Sequence, residues 1–302
     1  MAHFPIPDHL AGAAIPLWNQ YSVPLSRGTS DSDLPTITPT GQGRRRSLLP
    51  LPSASASEAV SHSLSPVLLI IPGGGYLEHA FDNAMIELAE SYERRGVATF
   101  ILRYRLASDG YHHPCQMLDA SRAVRLLRAR AAEWRLDPQR IGVMGFSAGG
   151  HLASMLAALS SSEVDPAAAD PIDRESARPN AAVLIYPVIS MLSTSGSSNN
   201  LFGPRTSEEL AELRTLCSTH LQVTSRTPLT LLVHGEDDAT VSIQHSRLMF
   251  QALQRAGIPS AFHDYPAGKH GFGCFAADPC PRGWLSRVDD WLHHVAQWRE
   301  LM

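Results

Sequence analysis

One stretch of the sequence decides the fold: Ile141-Gly142-Val143-Met144-Gly145-Phe146-Ser147-Ala148-Gly149-Gly150-His151-Leu152-Ala153. Its first six residues are apolar or small and predict a buried strand, and the residues from Ala148 onward predict a helix that begins at once behind it. Gly145 and Gly149 lie two residues before and after Ser147, where missing Cβ atoms let the strand and the helix approach closely. This pattern is typical of a nucleophile elbow, a sharp and strained turn that exposes a serine hydroxyl above the sheet.

A serine hydroxyl is a weak nucleophile, so Ser147 can act as one only if the chain also supplies a base and a carboxylate that orients the base. Among fourteen histidines, His270 is the candidate base. It lies between glycines in Gly268-Lys269-His270-Gly271-Phe272, just after a strand predicted at 261–265. A histidine taken alone is usually a surface or structural residue, so His270 is favoured by the other members of the set.

The candidate acid follows the strand predicted at 229–233, in His234-Gly235-Glu236-Asp237-Asp238-Ala239-Thr240-Val241. Only one of its three carboxylates can orient the imidazole. The order His-Gly-x-x-Asp-x-x-Val favours Asp238, with Asp237 second, as a turn or capping residue, and Glu236 third. The nucleophile, the acid and the base then occur in the chain order of α/β-hydrolases.

A glycine loop, Pro72-Gly73-Gly74-Gly75-Tyr76, follows the apolar strand predicted at 67–71. Its backbone N–H groups can point at a developing negative charge. We predict an oxyanion hole formed by Gly74, Gly75 and Ala148, the residue after the serine. A phosphate-binding loop is the competing interpretation, but the sequence lacks the Gly-Lys-Ser/Thr of a P-loop and the dinucleotide fingerprint.

Strands and helices alternate from residue 67 onward. Strands are predicted at 67–71, 97–104, 141–146, 181–186, 229–233 and 261–265, and helices near 80–95, 115–134, 243–256 and 284–299. This alternation predicts an α/β class with the α/β-hydrolase fold, a mostly parallel central sheet flanked by helices on both faces. Ligands of such sheets bind beyond the carboxyl ends of the strands, and every triad candidate falls at such an end.

Composition divides the chain into two parts. Residues 1–65 are rich in Pro, Ser and Thr and predict an N-terminal arm followed by a flexible insertion. Residues 66–302 are predicted to be the catalytic domain, with an insertion or lid at about 190–225 over the site.

Two side-chain patterns receive structural interpretations. Trp284, Trp291 and Trp298 recur every seven residues, which favours a helix face packed on the sheet over a sugar-stacking surface. His112 and His113 are adjacent and cannot easily share one metal ion, so no metal site is predicted.

Several runs of the sequence resemble the esterase family related to acetyl-xylan esterases and bacterial feruloyl esterases. They are residues 72–76 with 79–80, 103–106, 137–153, 186–191 and 268–273. The resemblance spans residues 15 to 298 with gaps, and 141–153 is its most specific part. The hormone-sensitive-lipase group is more distantly similar, since its loop normally begins with His where this chain has Pro72. Relatives also usually carry proline at the position of Ser242.

The resemblance implies hydrolysis of short-acyl carboxylic esters, often the removal of acetyl groups from sugars or xylo-oligosaccharides, without a metal or organic cofactor. The expected partner is a small-molecule or oligosaccharide ester. Tyr76, His79, Tyr186 and Phe272 are candidate pocket walls. Two alternatives stay open, a small peptidase of the prolyl-oligopeptidase type and a non-catalytic receptor on the same fold.

Length, composition and charge exclude several other classes of protein. A chain of 302 residues with 44% hydrophobic content can bury one large core, and a net charge of −4 argues against a nucleic-acid surface. No apolar run is long enough to span a bilayer, and no secretory signal is visible, so we expect a cytoplasmic protein. The oligomeric state is open, a homo-oligomer included. The four cysteines are Cys115, Cys217, Cys274 and Cys280. Their wide spacing favours reduced thiols, and a disulfide between Cys274 and Cys280 is the minority hypothesis.

Overall fold

An eight-stranded sheet forms the centre of the computed structural model, which describes residues 14–19, 22–40, 64–81, 83–160, 166–273, 281 and 283–298. The strands are β1 (Ile15–Pro16), β2 (Thr36–Pro39), β3 (Ser65–Ile71), β4 (Ala98–Arg103), β5 (Leu136–Phe146), β6 (Ala181–Ile185), β7 (Leu229–Gly235) and β8 (Ser260–Tyr265). Their spatial order is β1-β2-β4-β3-β5-β6-β7-β8. The six strands from β3 to β8 are parallel to one another. Strand β2 pairs antiparallel with β4, and β1 pairs antiparallel with β2. The predicted fold class is therefore confirmed.

Helices cover both faces of this sheet. They are α1 (Asn83–Arg94), α2 (Cys115–Ala129), α3 (Ala131–Trp134), α4 (Ala148–Leu159), α5 (Gly196–Phe202), α6 (Ser207–Leu216), α7 (Gln244–Arg255) and α8 (Trp284–His294). Strand β3 is buried along its whole length, and its successive side chains join two different hydrophobic clusters. One cluster contains apolar residues of α2, α4 and α7, and the other contains those of α1 and α8. Alternation along the strand thus supplies both cores.

The structure divides one predicted helix and shortens another. The helix predicted near 115–134 breaks at Arg130, whose φ of −92° and ψ of 5° leave helical geometry, and so forms α2 and α3. Arg135 then takes a left-handed conformation with φ of 58°, which ends α3 and begins β5. The last predicted helix ends at His294 rather than near residue 299.

Two strands lie in the part of the chain where only an arm was predicted. Strand β2 pairs with β4, and Ile37, opposite Leu102, is fully buried. Arg105 and Asp119 form a fully buried ion pair of 2.6 Å, and the same guanidinium donates to the carbonyl oxygen of Pro24 at 2.6 Å. The described residues before 40 are therefore tied to the sheet and its flanking helix. The predicted flexible insertion, in residues 41–63, lies outside the described residues.

Trp284 and Trp291 lie on the last helix, as predicted, whereas Trp298 lies beyond its end at His294. Trp284, Trp291 and Trp298 are all buried in the cluster formed with α1 and α8. A Cβ atom added to Gly142 of β5 would lie 2.9 Å from the Trp298 ring, so the indole occupies the space left by that glycine. Cys115 and Cys217 are buried free thiols, and Cys274 and Cys280 lie outside the described residues. Within the described ranges, no helix combines the length and apolar character needed to cross a membrane.

Candidate active site

Ser147 lies on the turn between β5 and α4, with φ of 54° and ψ of −117°. This left-handed region is strained for a residue with a side chain. The flanking glycines allow it: a Cβ on Gly145 would lie 2.2 Å from the carbonyl oxygen of Gly149, and a Cβ on Gly149 would lie 2.2 Å from that of Ile71. The backbone N–H of Ser147 also donates to Ile185 in the neighbouring strand at 3.0 Å. The sequence motif thus produces the tight strand–helix turn that it predicts.

The structure brings the predicted serine, histidine and aspartate together. The Ser147 Oγ atom lies 2.9 Å from Nε2 of His270, and Nδ1 of His270 lies 2.7 Å from Oδ2 of Asp238. A carboxylate can only accept a hydrogen bond, so Nδ1 carries the proton and Nε2 is left to accept from the serine hydroxyl. This is the arrangement that removes a proton from the serine when its oxygen attacks.

The surroundings of Asp238 keep its carboxylate charged. Burial alone raises its pKa, but hydrogen bonds from His234, His270 and the Val241 N–H outweigh burial and hold the pKa well below its usual range. Oδ1 accepts from the N–H groups of Thr240 and Val241, both at 2.9 Å, and Oδ2 lies 3.2 Å from Nε2 of His234. Our sequence reasoning did not assign a role to His234, although it begins the His-Gly-x-x-Asp run.

The other two carboxylates of this loop do not touch the imidazole. Asp237 accepts a 2.6 Å hydrogen bond from the N–H of Gly268, and so fixes the loop that carries His270. Glu236 is exposed and forms a 3.3 Å ion pair with Arg247.

The glycine loop after β3 lies directly against the serine. A Cβ atom on Gly73 would lie 3.1 Å from Cβ of Ser147. Gly74 and Gly75 have φ of 111° and 62°, which glycine adopts without strain. Among the backbone hydrogen bonds between described loop residues, none uses the N–H of either glycine. Ala148 is the first residue of α4, so its N–H has no acceptor within the helix.

Tyr76 does not line the cavity, contrary to the prediction. Its backbone has a φ of 67°, and its side chain is fully buried. The hydroxyl lies 2.6 Å from Nδ1 of His151. Nε2 of His151 lies 2.7 Å from the carbonyl oxygen of Cys217. Burial lowers the pKa of His151 to about 4, so the ring is neutral at pH 7. The carbonyl can only accept, so Nε2–H donates to Cys217 and Nδ1 accepts from Tyr76.

A cavity of about 740 Å³ opens in front of Ser147 and His270. It is lined by His79, Tyr186 and Phe272, the three other predicted pocket residues. Its lining also contains an apolar group from several elements, namely Phe81, Ala84, Met85, Phe146 and Val188. This volume and this mainly apolar lining are typical of cavities that bind small organic molecules.

The segment predicted as a lid supplies a polar side of the cavity. It contains α5 and α6, and the Asn200 side chain donates to the carbonyl oxygen of Gly75 at 2.8 Å. The polar lining residues on or beside this segment are Ser190, Ser193, Ser195, Ser197, Asn200 and His245. The same segment therefore contacts both the cavity and the glycine loop.

The adjacent histidines have structural contacts. Nδ1 of His112 donates to the carbonyl oxygen of Asn200 at 2.8 Å, and burial lowers the pKa of His113 to about 4. Across the part of the chain that the structure describes, no group of three or more His, Cys, Asp or Glu residues could hold a metal ion.

The strained serine turn, the histidine and the aspartate stand at the carboxyl ends of parallel strands, and this combination of fold and site defines an α/β-hydrolase. Comparison with known proteins places the chain more closely. It belongs to the BD-FAE family, whose model matches residues 56–253.

Relatives and solved structures agree with this family. The acetylxylan esterase of Xylanibacter ruminicola is 30% identical over 233 residues, which cover 76% of this chain and 44% of that protein. The endo-1,4-beta-xylanase B of Butyrivibrio fibrisolvens is 34% identical over 224 residues, covering 72% of this chain and 34% of that protein. This chain therefore spans less than half the length of either relative. The crystal structure of the acetyl ester-xyloside bifunctional hydrolase from Caldicellulosiruptor lactoaceticus has a TM-score of 0.80 and 34% identity, covering 94% of this chain and 97% of that one.

Proposed function

We propose that this protein hydrolyses carboxylic esters with Ser147 as the nucleophile. The observation that carries the proposal is the continuous hydrogen-bonded path from Ser147 through His270 to Asp238, at 2.9 and 2.7 Å. The left-handed turn at Ser147 and the glycine loop against it support the same chemistry.

In the proposed mechanism, Nε2 of His270 takes the hydroxyl proton as Oγ of Ser147 attacks the ester carbonyl carbon. Asp238 holds the imidazole in the required tautomer and stabilises its positive charge. The alcohol leaves with the proton from His270, and an acyl-enzyme remains on Ser147. Water then attacks this acyl group while His270 accepts its proton, and His270 returns that proton to Oγ of Ser147 as the carboxylic acid leaves.

The N–H groups of Gly74, Gly75 and Ala148 are the proposed donors to the negative oxygen of each tetrahedral intermediate. Two observations support this role: no backbone hydrogen bond between described loop residues uses the N–H of Gly74 or Gly75, and Ala148 begins α4, so its N–H has no acceptor within the helix. Removal of one such donor typically costs about 3 kcal/mol in the barrier.

Short-acyl esters of sugars, in particular acetylated xylo-oligosaccharides, are the proposed substrates. Support comes from the names of the relatives, an acetylxylan esterase and an acetyl ester-xyloside hydrolase. The cavity lining, which contains both apolar and polar side chains, is consistent with an ester that joins a short acyl group to a polar alcohol.

The test is hydrolysis of p-nitrophenyl esters from acetate to octanoate, with acetylated xylo-oligosaccharides in parallel, by the wild type and Ser147→Ala. We expect the variant to lose about a thousandfold or more in kcat while its unfolding curve is unchanged. Ser207→Ala, at an exposed position in α6, is the matched control and should retain full activity. Activity of Ser147→Ala near that of the wild type would overturn the proposal, and a wild type inactive on every ester would favour the peptidase or receptor alternative.

A further inference from the structure

His245, in the first turn of α7, lines the cavity in front of Ser147. Its Nδ1 atom lies 2.9 Å from the backbone nitrogen of Ile189 and 3.0 Å from that of Ser190. Both backbone groups are N–H donors, so Nδ1 must accept both hydrogen bonds and cannot carry a proton. The imidazole is thereby held against the loop that follows β6.

This contact decides where the ring proton lies. Burial lowers the pKa of His245 to about 4, so the ring is neutral at pH 7 and carries one proton, which must be on Nε2. Nε2 forms no hydrogen bond with any described residue. It is also absent from the fully buried side-chain nitrogen and oxygen atoms that have no hydrogen-bond partner. A donor held in a fixed position therefore belongs to a residue of the cavity lining.

The neighbourhood of this donor suits a neutral, hydroxyl-bearing ligand. The side chains of Ser193, Ser195, Ser197 and Asn200 line the same cavity and can both donate and accept hydrogen bonds. The described lining contains no lysine or arginine, and its one carboxylate is that of Glu78. An anionic ligand would find no cationic partner there, whereas sugar hydroxyls would find several partners.

We propose that His245 and this polar lining form a subsite for the alcohol portion of the ester, in which Nε2–H of His245 donates to a hydroxyl or ring oxygen of a sugar. The inference rests on the proposed ester hydrolysis and adds a residue that selects the substrate. His245 acts on specificity and takes no part in the proton transfers at Ser147.

The test uses two acetate esters whose alcohols have six-membered rings, a methyl mono-O-acetyl-β-xyloside and cyclohexyl acetate. The variant His245→Asn keeps an acceptor near the position of Nδ1 and lacks the donor at the position of Nε2. We expect kcat/KM for the xyloside to fall about tenfold, the loss typical of one hydrogen bond to a substrate, and kcat/KM for cyclohexyl acetate to stay within about twofold. Gln244→Ala, its exposed neighbour, should leave both values unchanged.

Other outcomes separate this inference from the proposed function. An equal fall on both esters would overturn the subsite, because His245 would then be supporting the loop or the chemistry. Unchanged kinetics on both would overturn it as well. A wild type that hydrolyses cyclohexyl acetate and the xyloside equally well would refute the subsite and leave ester hydrolysis standing, whereas inactivity on both would refute ester hydrolysis itself.

Discussion

The hydroxyl of Tyr76 donates to Nδ1 of His151 across 2.6 Å, and this bond joins the glycine loop to the helix behind Ser147. The opposite ring nitrogen of His151 donates to the carbonyl oxygen of Cys217, just after α6. One buried, neutral imidazole therefore connects the proposed oxyanion donors, the serine turn and the segment that lines the cavity.

Tyr76→Phe should lower the free energy of unfolding by about 1–3 kcal/mol, because it leaves the buried Nδ1 of His151 without a donor. His151→Gln keeps a donor toward the carbonyl oxygen of Cys217 but removes the Nδ1 acceptor for the Tyr76 hydroxyl, and should lower the free energy of unfolding by a similar amount. Urea unfolding of both variants and the double variant measures the coupling. We expect the double variant to lose clearly less than the sum of the two, since both changes break one interaction. Simple additivity would show that the two side chains act independently.

Asp238→Asn should reduce kcat by about a thousandfold, because an amide cannot hold His270 in the required tautomer. Asp237→Asn weakens the hydrogen bond from Gly268 and should reduce kcat by less than about tenfold, since the bond only fixes a loop. Glu236→Gln, an exposed change, serves as the control. Steady-state kinetics on p-nitrophenyl acetate measures all three, and a larger loss for Asp237→Asn would reverse the assignment of the acid.

Three buried histidines should each lower stability as the pH drops from about 6.5 to 4. Burial lowers the pKa of His113, His151 and His245 to about 4, whereas the same side chains titrate near pH 6.5 in an unfolded chain. Between these values only the unfolded state binds the protons, so each histidine lowers the free energy of unfolding by about 1.4 kcal/mol per pH unit.

Denaturant unfolding at several pH values between 4 and 7 measures this slope. The variant His245→Asn removes one of the three protons, so its slope between pH 6 and 5 should be smaller by about 1.4 kcal/mol per pH unit. A slope identical to that of the wild type would mean that His245 titrates normally in the folded protein.

Gly149→Ala should prevent folding or cost more than about 3 kcal/mol, because its Cβ would lie 2.2 Å from the carbonyl oxygen of Ile71 and neither backbone can move freely. Gly196→Ala is the matched control, since nothing lies within 4 Å of the added Cβ, and it should change stability by less than about 1 kcal/mol. Soluble yield and thermal unfolding distinguish the two. A folded Gly149→Ala of normal stability would show that the elbow can widen.

The parallel sheet and the three hydrogen-bonded side chains of the candidate site could be predicted because local signals specify them. Strands of a parallel sheet are continuous apolar runs, and the residues after them necessarily meet at one edge. Strands β1 and β2 escaped prediction because they are two and four residues long and antiparallel, and lie among prolines and threonines. Their pairing depends on β4, which is distant in sequence.

The histidines behind the site were missed for a related reason. His151 and His245 each gain their roles from partners more than fifty residues away, which no short motif reveals. The prediction for Tyr76 was wrong because its backbone is left-handed and its side chain lies in the core, where the hydroxyl bonds to His151, rather than in the cavity. A local pattern predicts where the chain turns, but the direction of a side chain after such a turn is set by packing.

The short first strand also bears on how molecules of this protein meet one another. An exposed sheet edge offers unpaired N–H and C=O groups, to which a strand of another chain can add. In the described part of the chain, the edge strand beyond β2 is β1, which consists of Ile15 and Pro16, and proline has no N–H to donate. This end of the sheet is thus a poor template for strand addition between molecules, which disfavours aggregation through this edge.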